Sequence, residues 1–222
     1  MVLVRRPAVI LAALAFVGLA STGCAEQSAA ATVGDQTLSE SDLMDEVGAL
    51  VGNETLLESA GLAEDDLRGE SDQSFSQQIV SSVLTQRIQF MFVDQLFTDE
   101  GMELSSSDLS AGQQQFQSTF GPAASEFSES FQDRATEDFA KAAVVQQQLG
   151  DDFQQRFTDL VESTDVQLNS RFGTWDAEAF LAQLFSQNAT TTTPAITPPD
   201  GPLPAPGSDS SGSGSGAADQ SG

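Results

Sequence analysis

The chain has 222 residues, with 33 Asp and Glu against eight Lys and Arg, no His, no Tyr and a single Cys. Without histidine there is no Ser-His or Cys-His nucleophile pair and no imidazole metal ligand. One cysteine closes neither an internal disulfide nor a Cys-rich zinc site. A formal charge of -25 opposes nucleic-acid binding, which needs a basic surface.

Residues 1–23 read as an export signal. Arg5 and Arg6 form a basic start, and Ala8 to Ala20 is an uncharged apolar run of 13 residues. That suits a signal peptide and is short for a membrane span, which needs about 20 residues. Ser21-Thr22-Gly23-Cys24 follows and resembles a bacterial lipobox, with Ser21 where Leu is usual. Cys24, the only cysteine, is therefore the expected lipid-attachment site. Residues 24–29 are a short spacer. Removal of Arg5 and Arg6 with the signal leaves six basic residues against 33 acidic ones, a side-chain charge of -27. Such a body is repelled by anionic headgroups, so the expected membrane contact is the lipid alone. The acidity reads as a solvated surface. Calcium binding is the sharper alternative, but no EF-hand-type loop occurs.

Residues 30–38 are β-prone around a Gly34-Asp35 turn. Ser39 has the place of an N-cap, with Asp42 at the third helical position and Leu38 and Leu43 as a hydrophobic staple, which predicts a helix from Ser39 to about Leu50. Residues 52–73 are acidic and irregular, with a short helix over 54–59, and are expected to be exposed. The segment 74–100 carries Phe75, Ile79, Val83, Ile88, Met91 and Leu96 on one stripe and Phe90, Val93 and Phe97 on another. A helix apolar on two sides is a central one. Gly101 is its expected C-cap.

Ser105 and Asp108 repeat the capping device, with Leu104 and Leu109 as staple, and predict a third helix from 105 to 119, stopped before Gly121-Pro122. A fourth covers 124–149 through Phe127, Phe131, Phe139, Val145 and Leu149, and Asp151 or Asp152 caps a continuation through Phe153 and Phe157. An alternating piece, Asp165 to Asn169, precedes the turn-rich Arg171-Phe172-Gly173-Thr174-Trp175-Asp176 and a last short helix to Ser186. Six of the eight prolines fall beyond Asn188, in a Pro-rich and then Ser/Gly-rich stretch; 187–222 reads as a disordered tail. The body, 30–186, is expected to be one mostly α domain.

The order of signal, "ATVGDQTLSESDL", long helices and "DVQLNSRFGTWD" resembles the SurA/PrsA-type extracytoplasmic chaperones, in the lipoprotein form of high-GC Gram-positive bacteria. Ala31, Val33, Gly34, Leu38, Ser39, Asp42 and Leu43 fill the family's N-terminal pattern, with Gly34-Asp35 in place of the usual Asn-Gly. Val166, Leu168, Asn169, Arg171, Phe172, Gly173, Trp175 and Asp176 fill the late one. The resemblance covers about residues 30–180. It implies a trigger factor/SurA-like helical domain closed by two short antiparallel strands from the chain ends, with Asn169, Arg171, Phe172, Gly173 and Trp175 as the fold-closing motif. Asn169 and Arg171 would bond to backbone carbonyls, Gly173 would sit in a turn and Trp175 would cover helix ends.

Complete family members insert a parvulin-type prolyl isomerase domain before the returning strand. Here the gap from Leu149 to Val166 is too short for a domain, and the histidines of a parvulin site are missing. The resemblance thus implies a chaperone half without catalytic residues, metal or cofactor. It would be lipid-anchored on the outer face of the cell membrane and hold unfolded or partly folded exported proteins by apolar contact. An adaptor or structural lipoprotein gripping one folded envelope partner is the alternative. A degenerate isomerase is opposed by the missing insert, and a two-lobed solute-binding lipoprotein by the helical pattern.

Overall fold

A computed structural model describes residues 28–69, 74–185 and 194–197. The signal segment, Cys24 and residues 70–73, 186–193 and 198–222 lie outside the described residues. The chain is mostly helical, with a few short antiparallel strands.

Gly34 and Asp35 fold the first strands, β1 (Ala29–Val33) and β2 (Gln36–Ser39), into a hairpin, with Gly34 at φ +56°. β1 begins one residue inside the expected spacer. β3 (Val166–Leu168) returns antiparallel on the other edge of β1, pairing Ala31 with Leu168 and Val33 with Val166. The expected closure by two strands is therefore corrected to a three-stranded sheet of order β2-β1-β3. The turn folds the N-terminal segment on itself, so that segment supplies two strands rather than one. Ala30, Ala31 and Val33 are fully buried, as small and β-branched residues on a central strand should be.

α1 (Glu40–Val51) starts at Ser39, whose hydroxyl accepts from the Asp42 N–H at 3.1 Å. α2 (Glu54–Ala60) and α3 (Glu64–Leu67) follow. The expectation that 52–73 is simply exposed is corrected at Asn53 and Leu57, both buried. The Asn53 amide caps α2 by accepting from the Leu56 N–H at 2.9 Å, and its NH₂ donates to the Ala123 carbonyl at 3.1 Å. A side chain whose oxygen and nitrogen each have a hydrogen-bond partner can be buried at little cost.

α4 (Gln77–Asp99) is the central helix. Val80, Val83, Leu84, Ile88, Met91, Phe92, Val93, Leu96 and Phe97 are buried along it, against α1, β1 and two later helices, α6 and α7. Its end is set by Gly101 at φ +63°, with the Met102 N–H donating to the Phe97 carbonyl at 3.0 Å. α5 (Ser106–Phe120) opens on a reciprocal capping box between Ser105 and Asp108. The Ser105 hydroxyl and N–H both donate to the Asp108 carboxylate and hold its pKa below the ordinary range.

A 3-10 turn over Gly121–Glu126 then leads to α6 (Glu129–Leu149). α6 starts later than the expected 124, because Ser128 is its cap and Pro122 starts the separate 3-10 turn. α5 and α6 lie close along their length: a methyl group on Gly112 would overlap the Thr136 carbonyl and the Ala140 side chain. α7 (Phe153–Ser163) grows directly out of a 3-10 turn over Gly150–Asp152, and the expected side-chain cap from Asp151 or Asp152 is not made.

α8 (Ala177–Phe185) lies between β4 (Thr174–Trp175) and β5 (Ile196–Thr197), which pair antiparallel. The disordered reading of 187–222 is thus corrected at 194–197. Ala195 and Ile196 are each 1% exposed and belong to the main core, because the tail's one isoleucine finds an apolar place there.

Candidate functional site

The segment after β3 ties the two ends of the body together. The Asn169 N–H donates to the Ala30 carbonyl at 3.0 Å, and its side-chain oxygen accepts from the Arg171 N–H at 3.1 Å. The expected side-chain bond from Asn169 to a carbonyl is corrected, since that side chain makes a local turn. The Arg171 guanidinium forms a mostly buried ion pair with Glu40 at the start of α1. A planar fork finds its best partner in a carboxylate. Phe172 is buried.

Gly173 has φ +123°, and a methyl there would overlap the Thr197 backbone. Trp175 is half-buried. It packs on Phe180 and Phe92, with ring centroids 4.9 and 6.4 Å away, so it lies against the flank of α4 rather than over helix ends.

A second constellation sits between α1, α4 and α6. Arg87 of α4 is ion-paired with Asp138 of α6, and its Nε lies 3.5 Å from Glu46 of α1. Arg134 reaches the same Glu46 oxygen at 3.1 Å. Glu46, Arg87 and Asp138 are largely buried, and Phe90, Phe120, Phe131 and Phe139 line the small space beside them. Burial pushes both carboxyls above their ordinary range; the guanidinium of Arg87, and for both groups Arg134, oppose it without cancelling it. Close by, Lys141 bridges Asp94 and Glu137. Burial disfavours its charge, yet those two carboxylates hold its pKa above the ordinary value.

This network holds two carboxyls with raised affinity for protons. Its ion pairs join three helices, α1, α4 and α6. Its signal in the sequence was Arg87, one of six basic residues after the signal segment, set between Leu84 and Ile88 on the apolar stripe of α4.

The α5–α6 hairpin has its own aromatic cluster. Phe116, Phe127 and Phe131 are buried in it with Phe120 beside them, and Phe127 stacks on Phe131 at 4.3 Å. Above this cluster an open groove of about 740 Å³ runs between α5, the 3-10 turn and α6. Phe116, Pro122 and Ala124 contribute to its wall, with Gln113, Gln132 and Asp133 around them. Leu109, expected as half of a staple, is 41% exposed and lines the groove. The groove is lined mostly by amides, hydroxyls and carboxylates, with Leu109 and Pro122 as its exposed apolar members, a mixture that suits a polypeptide, whose backbone needs hydrogen-bond partners beside its apolar side chains.

Cys24 lies outside the described residues. Among the described residues no helix is long and apolar enough to cross a membrane, and no group of His, Cys, Asp and Glu could hold a metal ion. Comparison with protein-family models, curated proteins and solved structures finds no match for the chain.

Proposed function

We propose that the chain is a lipid-anchored extracytoplasmic protein of SurA/PrsA chaperone type, which holds unfolded exported polypeptides and has no isomerase activity. The groove along the α5–α6 hairpin carries the reading, because it offers a polypeptide the exposed Leu109 and Pro122 beside polar partners, on a body of strong negative charge. Apolar contact retains the client, and the charge keeps the loaded complex apart from others. The order of elements supports the family: an N-terminal hairpin, a long central helix and a returning strand beside β1. Between α6 and β3 the chain has a 3-10 turn and α7, in the place where isomerase members carry a further domain. Cys24 is the proposed anchor.

One observation favours an adaptor that grips a single folded envelope partner. Among the described residues Leu62 and Leu109 are the large apolar side chains that stand exposed, so the open apolar surface is small and local. Aggregation assays separate the two. A holdase keeps several chemically unfolded exported proteins in solution at near-stoichiometric amounts, whereas an adaptor protects none of them. Protection of none would overturn the chaperone reading.

A further inference from the structure

The contact between β4 and β5 has the features of a peptide-binding site occupied by its own chain. The ladder is two residues long, pairing Thr174 with Thr197 and Trp175 with Ile196, and the Asp176 N–H adds a third main-chain bond to the Ala195 carbonyl at 3.0 Å. Ala195 and Ile196 are buried on the body, yet nine residues, 186–194, separate them from α8. Gly173 leaves the room that the Thr197 backbone occupies. Pro194 before the segment and Pro198-Pro199 after it lack the N–H that would extend the ladder, so the pairing is confined to three residues. An open groove of about 810 Å³ continues beside Pro194–Ile196 along the polar face of α4, past Gln78, Ser82 and Gln89. Burial of one isoleucine and three main-chain hydrogen bonds together are similar in size to the cost of ordering four residues, so the docked and undocked states are close in free energy.

We propose that the β4 edge, with its apolar seat for Ile196, is a binding site for an extended peptide of the pattern proline, small residue, β-branched residue, Thr, proline. Residues 194–197 are its resident, displaceable occupant. Binding is by strand addition: main-chain bonds to β4 hold the backbone, and the seat selects the β-branched side chain. The proposal is independent of the chaperone reading, since it concerns the β4 edge and not the α5–α6 groove.

Trp175 is the only tryptophan in the chain and pairs with Ile196, so its emission reports on occupancy. The probe is a synthetic peptide of residues 193–199, titrated into the full chain and into its Ile196→Asp variant. The variant, with its own strand expelled, should show a red-shifted Trp175 emission that the peptide reverses in a saturable way. The native chain should need at least about tenfold more peptide for the same response, because the tethered segment competes at high effective concentration. A peptide carrying Asp in place of isoleucine should give no response. Ile196→Thr, a milder change, keeps the test open if Ile196→Asp does not fold, with an expected loosening of about threefold or more. Absence of a saturable response in both variants, or equal responses in native and variant chains, would overturn the proposal. A native dimer whose dissociation tracks the Trp175 emission would overturn it too, since the strand would then come from a second copy.

Discussion

Arg87 and Asp138 are ion-paired across the packed faces of α4 and α6, 51 residues apart in sequence, and Glu46 of α1 comes within 3.5 Å of the same guanidinium. Removing Arg87 leaves two largely buried carboxylates short of a cation. Arg87→Met is therefore expected to cost about 3–5 kcal/mol at neutral pH, the usual penalty for breaking a buried pair from one side. Adding Glu46→Gln and Asp138→Asn to that variant should recover part of the loss. Urea melts of the native chain and the variants check both statements. A loss below about 1 kcal/mol for Arg87→Met would show that water reaches the pair.

The same network gives a pH dependence opposite to ordinary acid denaturation. Burial raises the pKa of Glu46 and of Asp138, so between their unfolded and folded values the native state holds more protons than the unfolded one. Their contribution is fully present below the unfolded values, near 4, and is lost as pH rises through the folded ones. Asp108, held low by Ser105, acts in the other sense and loses its contribution as pH falls through its folded value. Glu46→Gln combined with Asp138→Asn should make stability fall less steeply with rising pH just above pH 4. Denaturant midpoints every half unit from pH 4 to 7 measure that slope, and an unchanged slope would count against raised carboxyls at this site.

Sequence periodicity made α1, α4, α5 and most of α6 legible, because their apolar residues recur at helical spacing and Ser39, Ser105, Gly101 and Gly121 mark the ends. It missed what depends on pairing across the chain. Ile196 lies in a stretch whose composition argues for disorder; only Gly173, 23 residues earlier, makes room for that backbone, and a composition argument cannot see a distant cleft. Asn53 reads as a residue in an acidic loop until Ala123 is placed beside it. The buried charge network failed for a like reason: an arginine on an apolar stripe announces a partner without naming it. Truncation after Phe185 is accordingly expected to remove only about 0.5–1.5 kcal/mol, because the cost of ordering 194–197 offsets most of the gain from burying Ile196, and to lower Tm by a few degrees. A melt identical to that of the full chain would return 194–197 to the status of a free tail.

Phe92 and Trp175 separate the centre of the core from its margin. Phe92 is fully buried, with Phe157, Phe180 and Trp175 around it at centroid distances of 5.9, 6.0 and 6.4 Å. Phe92→Ala should cost about 3–5 kcal/mol, as large-to-small changes in closed cores do. Trp175 is half-buried and near the surface, where water can fill part of the space it leaves, so Trp175→Ala should cost less, about 2–3 kcal/mol. Chemical denaturation of the two variants gives the order directly. A larger loss at Trp175 would mean that the β4–β5 pairing governs the stability of the whole body.

The groove along α5 and α6 makes the last prediction specific to a surface. If Leu109 and Pro122 hold clients, Leu109→Asp should weaken suppression of aggregation several-fold while leaving the melting temperature within a degree or two. The side chain is 41% exposed, and its loss opens no cavity. Suppression by the native chain should persist at high salt, since apolar burial is not screened as surface charge is. Neither protein should accelerate cis–trans exchange in a proline peptide. Salt-sensitive binding that ignores Leu109→Asp would point instead to a charge-steered adaptor, with its partner on the acidic surface rather than in the groove. Equal suppression by the native chain and the variant at every salt concentration would move the client site away from α5 altogether.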